Sequence, residues 1–332
     1  MSTSRRTFLT PALVSLAALV LAACGGPPES DAAAAPGSAD YPVEATSCGF
    51  TSTIEQKPSR VVTMNQGATE LVLALGAEDQ LVGTAYLDDQ VPAKWAKAYE
   101  SVPVLSKEYP DHETLLTAEP DFVYGSYSSA FERKNAGTPT DLQELGIGSY
   151  TSPFGCGENE PSVDVSFESV WDEVEVVADV LGVPDRAAKI RSDQRSALAA
   201  LAQQDVGAGT TVFWFDSGDK AAFAGTGEGG PQLILDAVGA TNVFADVEGG
   251  WADVSWERVV KADPDVIVLA DADWSSADDK IALLKKDPAL RDLKAVRDEQ
   301  FVVLPFSETT PGVRLADGAR AVAAGLAELG RG

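Results

Sequence analysis

The sequence predicts an α/β protein of two similar lobes with a ligand cleft between them. Two observations carry that prediction: an internal repeat, and a helix-rich stretch that separates its two copies. His112-Glu113-Thr114-Leu115-Leu116-Thr117-Ala118-Glu119-Pro120-Asp121-Phe122-Val123 aligns with Trp256-Glu257-Arg258-Val259-Val260-Lys261-Ala262-Asp263-Pro264-Asp265-Val266-Ile267. In register, both place a glutamate, two apolar residues, an alanine, an acid, Pro-Asp and a β-rich run. Each copy predicts a short helix halted before proline and then a buried strand, at 122–124 and 266–269.

A second pair lies upstream of each copy. Residues 68–77 parallel 231–240, two apolar helices stopped by Gly76 and Gly239, and strands at 60–64 and 211–215 precede them. Both halves thus run strand, helix, Glu-helix, Pro-Asp, strand, a self-similarity that marks a duplicated architecture. Between them, 167–203 reads as helical. Trp171, Val174, Val177, Ala178 and Leu181 form one apolar stripe, a second helical stretch runs over 185–201, and Gly182-Val183-Pro184 marks a bend. This segment either bridges the lobes, restricting their relative motion, or packs onto the second lobe. Two α/β lobes place ligand-contacting loops at the carboxyl ends of their strands, a geometry suited to capturing a small molecule.

The amino terminus reads as a targeting segment. Arg5 and Arg6 precede an uncharged run over 11–23 that ends in Leu21-Ala22-Ala23-Cys24. The run is shorter than the ~20 residues of a spanning helix and fits a signal-peptide core. Leu-Ala-Ala-Cys resembles the bacterial lipobox, which predicts cleavage before Cys24 and a lipid on its thiol. Ser4-Arg5-Arg6-Thr7-Phe8-Leu9 resembles the twin-arginine export signal, with the general secretory route as the alternative. The Gly-, Pro-, Ser- and Ala-rich residues up to Asp40 bury too little apolar surface to order themselves and predict a flexible tether. The expected organisation is a signal peptide at 1–23, a lipidated tether at 24–52, a first lobe at 53–165, a helical linker at 166–205 and a second lobe at 206–332. The chain is expected on the extracytoplasmic face of the cell membrane.

A formal net charge of −26 makes nucleic acid and anionic headgroups poor partners. With Cys24 taken by lipid, Cys48 and Cys156 remain as a pair in an oxidising compartment, and one disulfide is expected; free thiols or a two-cysteine metal site are the alternatives. The single histidine, His112, rules out a histidine-rich zinc or copper site. Flanked by Asp111 and Glu113, it reads as part of a solvated helix start. There is no Gly-x-Ser-x-Gly elbow, and no catalytic constellation is assembled. Gly225-Thr226-Gly227-Glu228-Gly229-Gly230 matches the dinucleotide pattern but reads better as a tight turn beside the cleft.

Pro58-Ser59-Arg60-Val61-Val62-Thr63, Ala68-Thr69-Glu70, Leu75-Gly76, Leu81-Val82-Gly83 and the two Glu…Pro-Asp copies together resemble the substrate-binding proteins of ABC importers for ferric siderophores, haem and cobalamin. The resemblance covers nearly all of the chain after Thr53. It implies two Rossmann-like lobes joined by a long helix with little hinge motion, no catalysis, no cofactor, and action as a monomer with an ABC permease and its ATPase. It also implies that one glutamate on each lobe, here Glu113 and Glu257, docks onto permease arginines. A helix-dipole role is the structural alternative for both. The expected cargo is a ferric siderophore or related bulky chelate, with cobalamin, haem or a deazaflavin-cofactor precursor as alternatives. An enzyme or sensor on the same scaffold is a further one. Aromatics in apparent strand-end loops are candidate contacts for a planar or chelated ligand: Tyr86, Tyr127, Trp214, Trp251 and Trp274. Arg314, after Pro311-Gly312, is the candidate cation for an anionic ligand group.

Overall fold

The computed structural model describes residues 40–158 and 163–331. Cys24, the signal segment and the tether up to Ala39 lie outside them. No helix among the described residues is long and apolar enough to cross a membrane.

The folded body begins earlier than expected. Strands β1 (Val43–Ser47) and β2 (Phe50–Ile54) pair as an antiparallel hairpin, so residues 43–52 are not tether. Cys48 and Gly49 form its two-residue turn, both with positive φ, as such a turn demands. The Cys48 sulfur is bonded to that of Cys156, which ties the hairpin tip to a loop 108 residues away.

The first lobe then runs β3 (Val61–Met64), α1 (Gln66–Ala74), β4 (Leu81–Ala85), α2 (Ala96–Ser101), β5 (Val104–Ser106), α3 (His112–Thr117), β6 (Phe122–Gly125), α4 (Pro139–Glu144) and β7 (Gly148–Thr151). Its sheet is wholly parallel, in the order β5-β4-β3-β6-β7. Helices α5 (Phe167–Val180) and α6 (Pro184–Gln204) follow.

The second lobe contains β8 (Thr211–Ser217), β9 (Ala222–Gly225), α7 (Gly230–Val238), β10 (Thr241–Asn242), β11 (Trp251–Val254) and α8 (Trp256–Ala262). It continues with β12 (Val266–Asp271), α9 (Ala277–Lys286), α10 (Lys294–Arg297), β13 (Phe301–Pro305) and α11 (Leu315–Glu328). Its sheet has six strands, five in the order β11-β9-β8-β12-β13 and the short β10 paired parallel with the start of β8. The lobes differ at β9 and β11, whose pairings are antiparallel, whereas every pairing in the first lobe's sheet is parallel.

Strand residues alternate between two cores, as the pleat requires. Val61 and Phe122 face one cluster and Val62 and Val123 another; Val212 and Trp214 likewise oppose Phe213 and Phe215. Each sheet is therefore buried on both faces.

The repeat has a physical basis. After α3 and α8 the chain turns through Glu119 and Asp263, both with positive φ, into Pro-Asp. The Asp121 carboxylate accepts the N–H groups of Ser59 and Arg60 at 2.8 and 2.9 Å. The equivalent Asp265 accepts the Thr211 N–H at 2.9 Å and its hydroxyl at 2.7 Å. Each aspartate staples the start of its strand to the neighbouring parallel strand. Burial alone would raise the Asp265 carboxyl, but the Thr211 bonds and Lys294 hold it well below the usual range. Gly76 and Gly239 take left-handed φ at the ends of α1 and α7, which an L side chain resists.

A long helix, α6, joins the lobes, and the shorter α5 packs against it. Val174, Val177 and Ala178 of α5 join the first lobe's core, whereas Val170 joins the second's. Helix α6 starts in the first lobe at Ala187 and Ile190 and ends in the second at Leu198 and Leu201. Its 21 residues span roughly 30 Å at ~1.5 Å each. The Arg186 guanidinium fastens its start by donating to the carbonyls of Leu75 and Gly76.

Candidate functional site

The carboxyl ends of β3, β4 and β6 face the second lobe across a cleft. Two residues there hold left-handed backbone without being glycine: Asn65, after β3, and Tyr86, after β4. For a bulky tyrosine that conformation costs ~1 kcal/mol or more, so the surrounding contacts must enforce it. Tyr109 does both jobs. Its hydroxyl donates to Asn65 Oδ1 at 3.0 Å, and its ring meets Tyr86 edge-on at 4.8 Å.

The cleft floor is polar and buried. Gln66, the first residue of α1, accepts the N–H groups of Asp88 and Asp89 on Oε1, and its Nε2 donates to Glu70 at 2.9 Å and to Asp89 at 2.5 Å. From the second lobe, the Ser307 N–H donates to Asp89 at 2.7 Å and the Asp273 N–H to the Asp88 carbonyl at 3.2 Å. Farther out, Lys94 pairs with Asp317 at 2.8 Å, and Gln194 of α6 donates to the Val313 carbonyl at 2.8 Å.

Arg314 closes this interlobe seam, and the expectation that it meets an anionic ligand is corrected. Its side chain is 6% exposed. It donates to the Ser307 hydroxyl at 2.7 Å and to Glu70 of the first lobe at 3.3 Å, and it pairs with Glu308. A buried guanidinium is tolerated only where carboxylates compensate it, and these partners use its charge.

An enclosed space of about 160 Å³ lies between the lobes, lined by Tyr127, Tyr124 and Phe154 from the first-lobe side and by Trp251, Phe306 and Pro311 from the second. An adjoining hollow of about 660 Å³ shares Phe154, Trp251 and Pro311 and reaches the glycine turn at Gly227 and Gly229. Another hollow, of about 500 Å³, lies beside the β1–β2 hairpin and is lined by the first lobe alone, so it is not the cleft.

Of the predicted aromatics, the structure brings Tyr127 and Trp251 into the cleft wall. Trp251 stacks on Phe223 with centroids 6.0 Å apart. Trp274 is 52% exposed and sits edge-on to Phe306 at 5.3 Å, on the lip; Tyr86 stands with Tyr109 at the strand ends. Trp214 is the exception. It is fully buried in the middle of β8, within the second lobe's core. The polar Asp216 and Ser217 that follow it are the last residues of a strand buried on both faces.

Sequence reasoning missed Glu173 of α5. It is buried, lines the enclosed space, and accepts the Tyr124 hydroxyl at 2.8 Å. A signal was present: Glu173 is three residues after Val170 and four before Val177, an acid on the helix's apolar face. Gln66, Asp88 and Asp89 were also missed, and nothing in their neighbours marked them.

Burial is the first cause pushing the Glu70 and Glu173 carboxyls up to about 7 and that of Asp88 up to about 6; Arg314 and Gln66 draw Glu70 partly back. Carboxyls raised in this way bind protons in the folded chain before the unfolded one. Their contribution to stability is fully present below the unfolded values near ~4 and is lost as pH rises through about 6 to 7. The thermal midpoint is therefore expected to be higher near pH ~5 than near pH ~8. Glu173→Gln, which still accepts from Tyr124, should raise the midpoint at the higher pH and flatten the difference. A midpoint unmoved by that substitution at either pH would contradict this account.

Glu113 and Glu257 occupy the same place in their lobes. Each is exposed in the first turn of its helix, two residues after a cap, Asp111 or Ser255, whose side chain accepts the N–H of Thr114 or Arg258. A backbone N–H and Ser255 hold the Glu257 carboxyl below its usual range. His112 has a structural partner, its Nδ1 lying 2.7 Å from the Ala136 carbonyl.

Residues 61–308 match the periplasmic binding protein family. The chain is 26% identical over 319 residues to the uncharacterized ABC transporter substrate-binding lipoprotein YvrC of Bacillus subtilis, covering 94% of each. It is 24% identical over 222 residues to a vitamin B12-binding protein of Photorhabdus laumondii, covering 67% of this chain and 74% of that one. Its fold is similar to that of an ABC-type Fe3+-hydroxamate transport system from Saccharomonospora viridis. There the TM-score is 0.73 at 24% identity, with 86% of this chain and 99% of that one covered.

Proposed function

The chain belongs to the periplasmic binding protein family, and from that premise we propose that it captures a bulky chelate, such as a ferric siderophore, and delivers it to an ABC permease. The observation that carries the reading is the interlobe cleft walled by aromatics of both lobes, Tyr127 after the parallel strand β6, Phe306 after the parallel strand β13, and Trp251 at the start of β11. The enclosed 160 Å³ is below the ~300 Å³ or more of a typical small-molecule cleft, so a bulky ligand also uses the 660 Å³ hollow or parts the lobes slightly. Both linker helices and the Arg314 seam favour a small movement. The similarity to a vitamin B12-binding protein supports cobalamin as the second cargo.

On this reading Glu113 and Glu257 dock on the permease. Lipid on Cys24 retains the receptor at the extracytoplasmic membrane face; the lipobox resemblance and the similarity to a lipoprotein along 94% of the chain support it. The tether then keeps the lobes at high effective concentration beside their permease.

The test is tryptophan fluorescence titrated with ferric siderophores, cobalamin and haem. Saturable quenching by at least one is expected, with Trp251→Phe removing most of the signal and weakening binding by roughly tenfold. No binder in the panel would end this reading.

A further inference from the structure

We infer that the cleft is selective for ligands that present positive charge or hydrogen-bond donors, and that it excludes ligands with anionic groups. This rests on the importer reading above and narrows its cargo.

The charge inventory carries the inference. Among the described residues, neither the enclosed space nor the adjoining hollow is lined by a lysine, arginine or histidine. The enclosed space is instead lined by the buried carboxylates of Asp88 and Glu173, and the outer hollow by Asp164 and Glu228. Arg314, the buried cation of the seam, already serves Glu70 and Glu308, and Lys94 at its outer edge serves Asp317.

Asp216, at the carboxyl end of β8, extends the pattern. It is 2% exposed, and its Oδ1 has no hydrogen-bond partner among the described residues. Asp88 from one lobe and Asp216 from the other both act electrostatically on Tyr127. The buried Lys280 offsets Asp216 in part, but its ammonium is turned to the carbonyls of Ala270 and Ser275.

A ligand carboxylate seated here would meet Asp88 and Glu173 in a poorly solvated space, charged wherever the pH exceeds their raised values, and no cationic side chain among the described lining. A ligand ammonium, or the amide N–H groups of a neutral ligand, would meet carboxyl groups and the aromatic rings of Tyr127, Trp251 and Phe306.

The experiment uses three ferric tris-hydroxamates sharing one chelate core: one with a free ammonium arm, one N-acetylated and neutral, one N-succinylated and anionic. A corrinoid pair differing only by amide against carboxylate side chains runs in parallel, with haem as a further probe. Dissociation constants are measured on the intact chain at low and high salt. The cationic or amide-bearing member is expected to bind roughly 100-fold more tightly than its anionic counterpart, a preference that shrinks as salt screens it. Asp88→Asn and Glu173→Gln should each narrow the gap by about tenfold. The salt series on the unmodified chain decides the matter if either variant folds poorly. Equal or reversed affinities within a series overturn the inference and leave the importer reading standing. Failure of every probe, haem included, overturns both.

Discussion

Arg314→Met should lower the thermal midpoint by roughly 10 °C, the largest loss of stability expected from a single change at the cleft. Removing the guanidinium strands Glu70, 1% exposed, together with Glu308 and Asp89, which are also buried. Uncompensated buried charge of this kind costs about 3–5 kcal/mol. The loss should be smaller near pH ~5.5 than near pH ~8: without Arg314 the Glu70 carboxyl titrates above its present value of about 7, so it is neutral at the lower pH. Adding Glu70→Gln should restore part of the midpoint. Calorimetry on the single and double variants at both pH values checks this, and an additive double variant would show that the two groups do not act as a pair.

The second large effect is on transport. Glu113→Arg with Glu257→Arg is expected to reduce uptake to background while leaving the ligand dissociation constant within about twofold. Both glutamates are exposed, neither forms a tertiary ion pair among the described residues, and neither lines the cleft. Each favours its helix N-terminus by only about 0.3–1 kcal/mol, so unfolding would not explain a loss of uptake. Each single reversal should give an intermediate rate, since docking would keep one lobe's contact. Uptake assayed in whole cells against purified-protein binding separates the two quantities. Uptake that survives the double reversal would remove these residues from the permease interface.

Much of the architecture was legible because it is written in local patterns. The Glu…Pro-Asp copies encode a cap, a stop and an aspartate staple within a dozen residues, and these recur in both lobes with the same left-handed turn at Glu119 and Asp263. The β1–β2 hairpin was missed because its strands are only five residues each and carry mostly small or polar residues; the β-branched Val43, Thr51, Thr53 and Ile54 and the Cys48-Gly49 turn were its signals. The site was harder to read. Trp214 and Trp251 both have polar or glycine neighbours, yet one lies inside a doubly buried strand and the other on the cleft wall.

What the sequence alone determined is the duplicated lobe, since helix stops, strand runs and staples act over a few residues. What only the tertiary structure decided is the chemistry between the lobes. Glu70 and Arg314 are 244 positions apart, and their charges meet only because α1 of one lobe packs against the start of α11 of the other. Once buried together they neutralise the cation that the sequence offers to a ligand, and the cleft is left to carboxylates and rings.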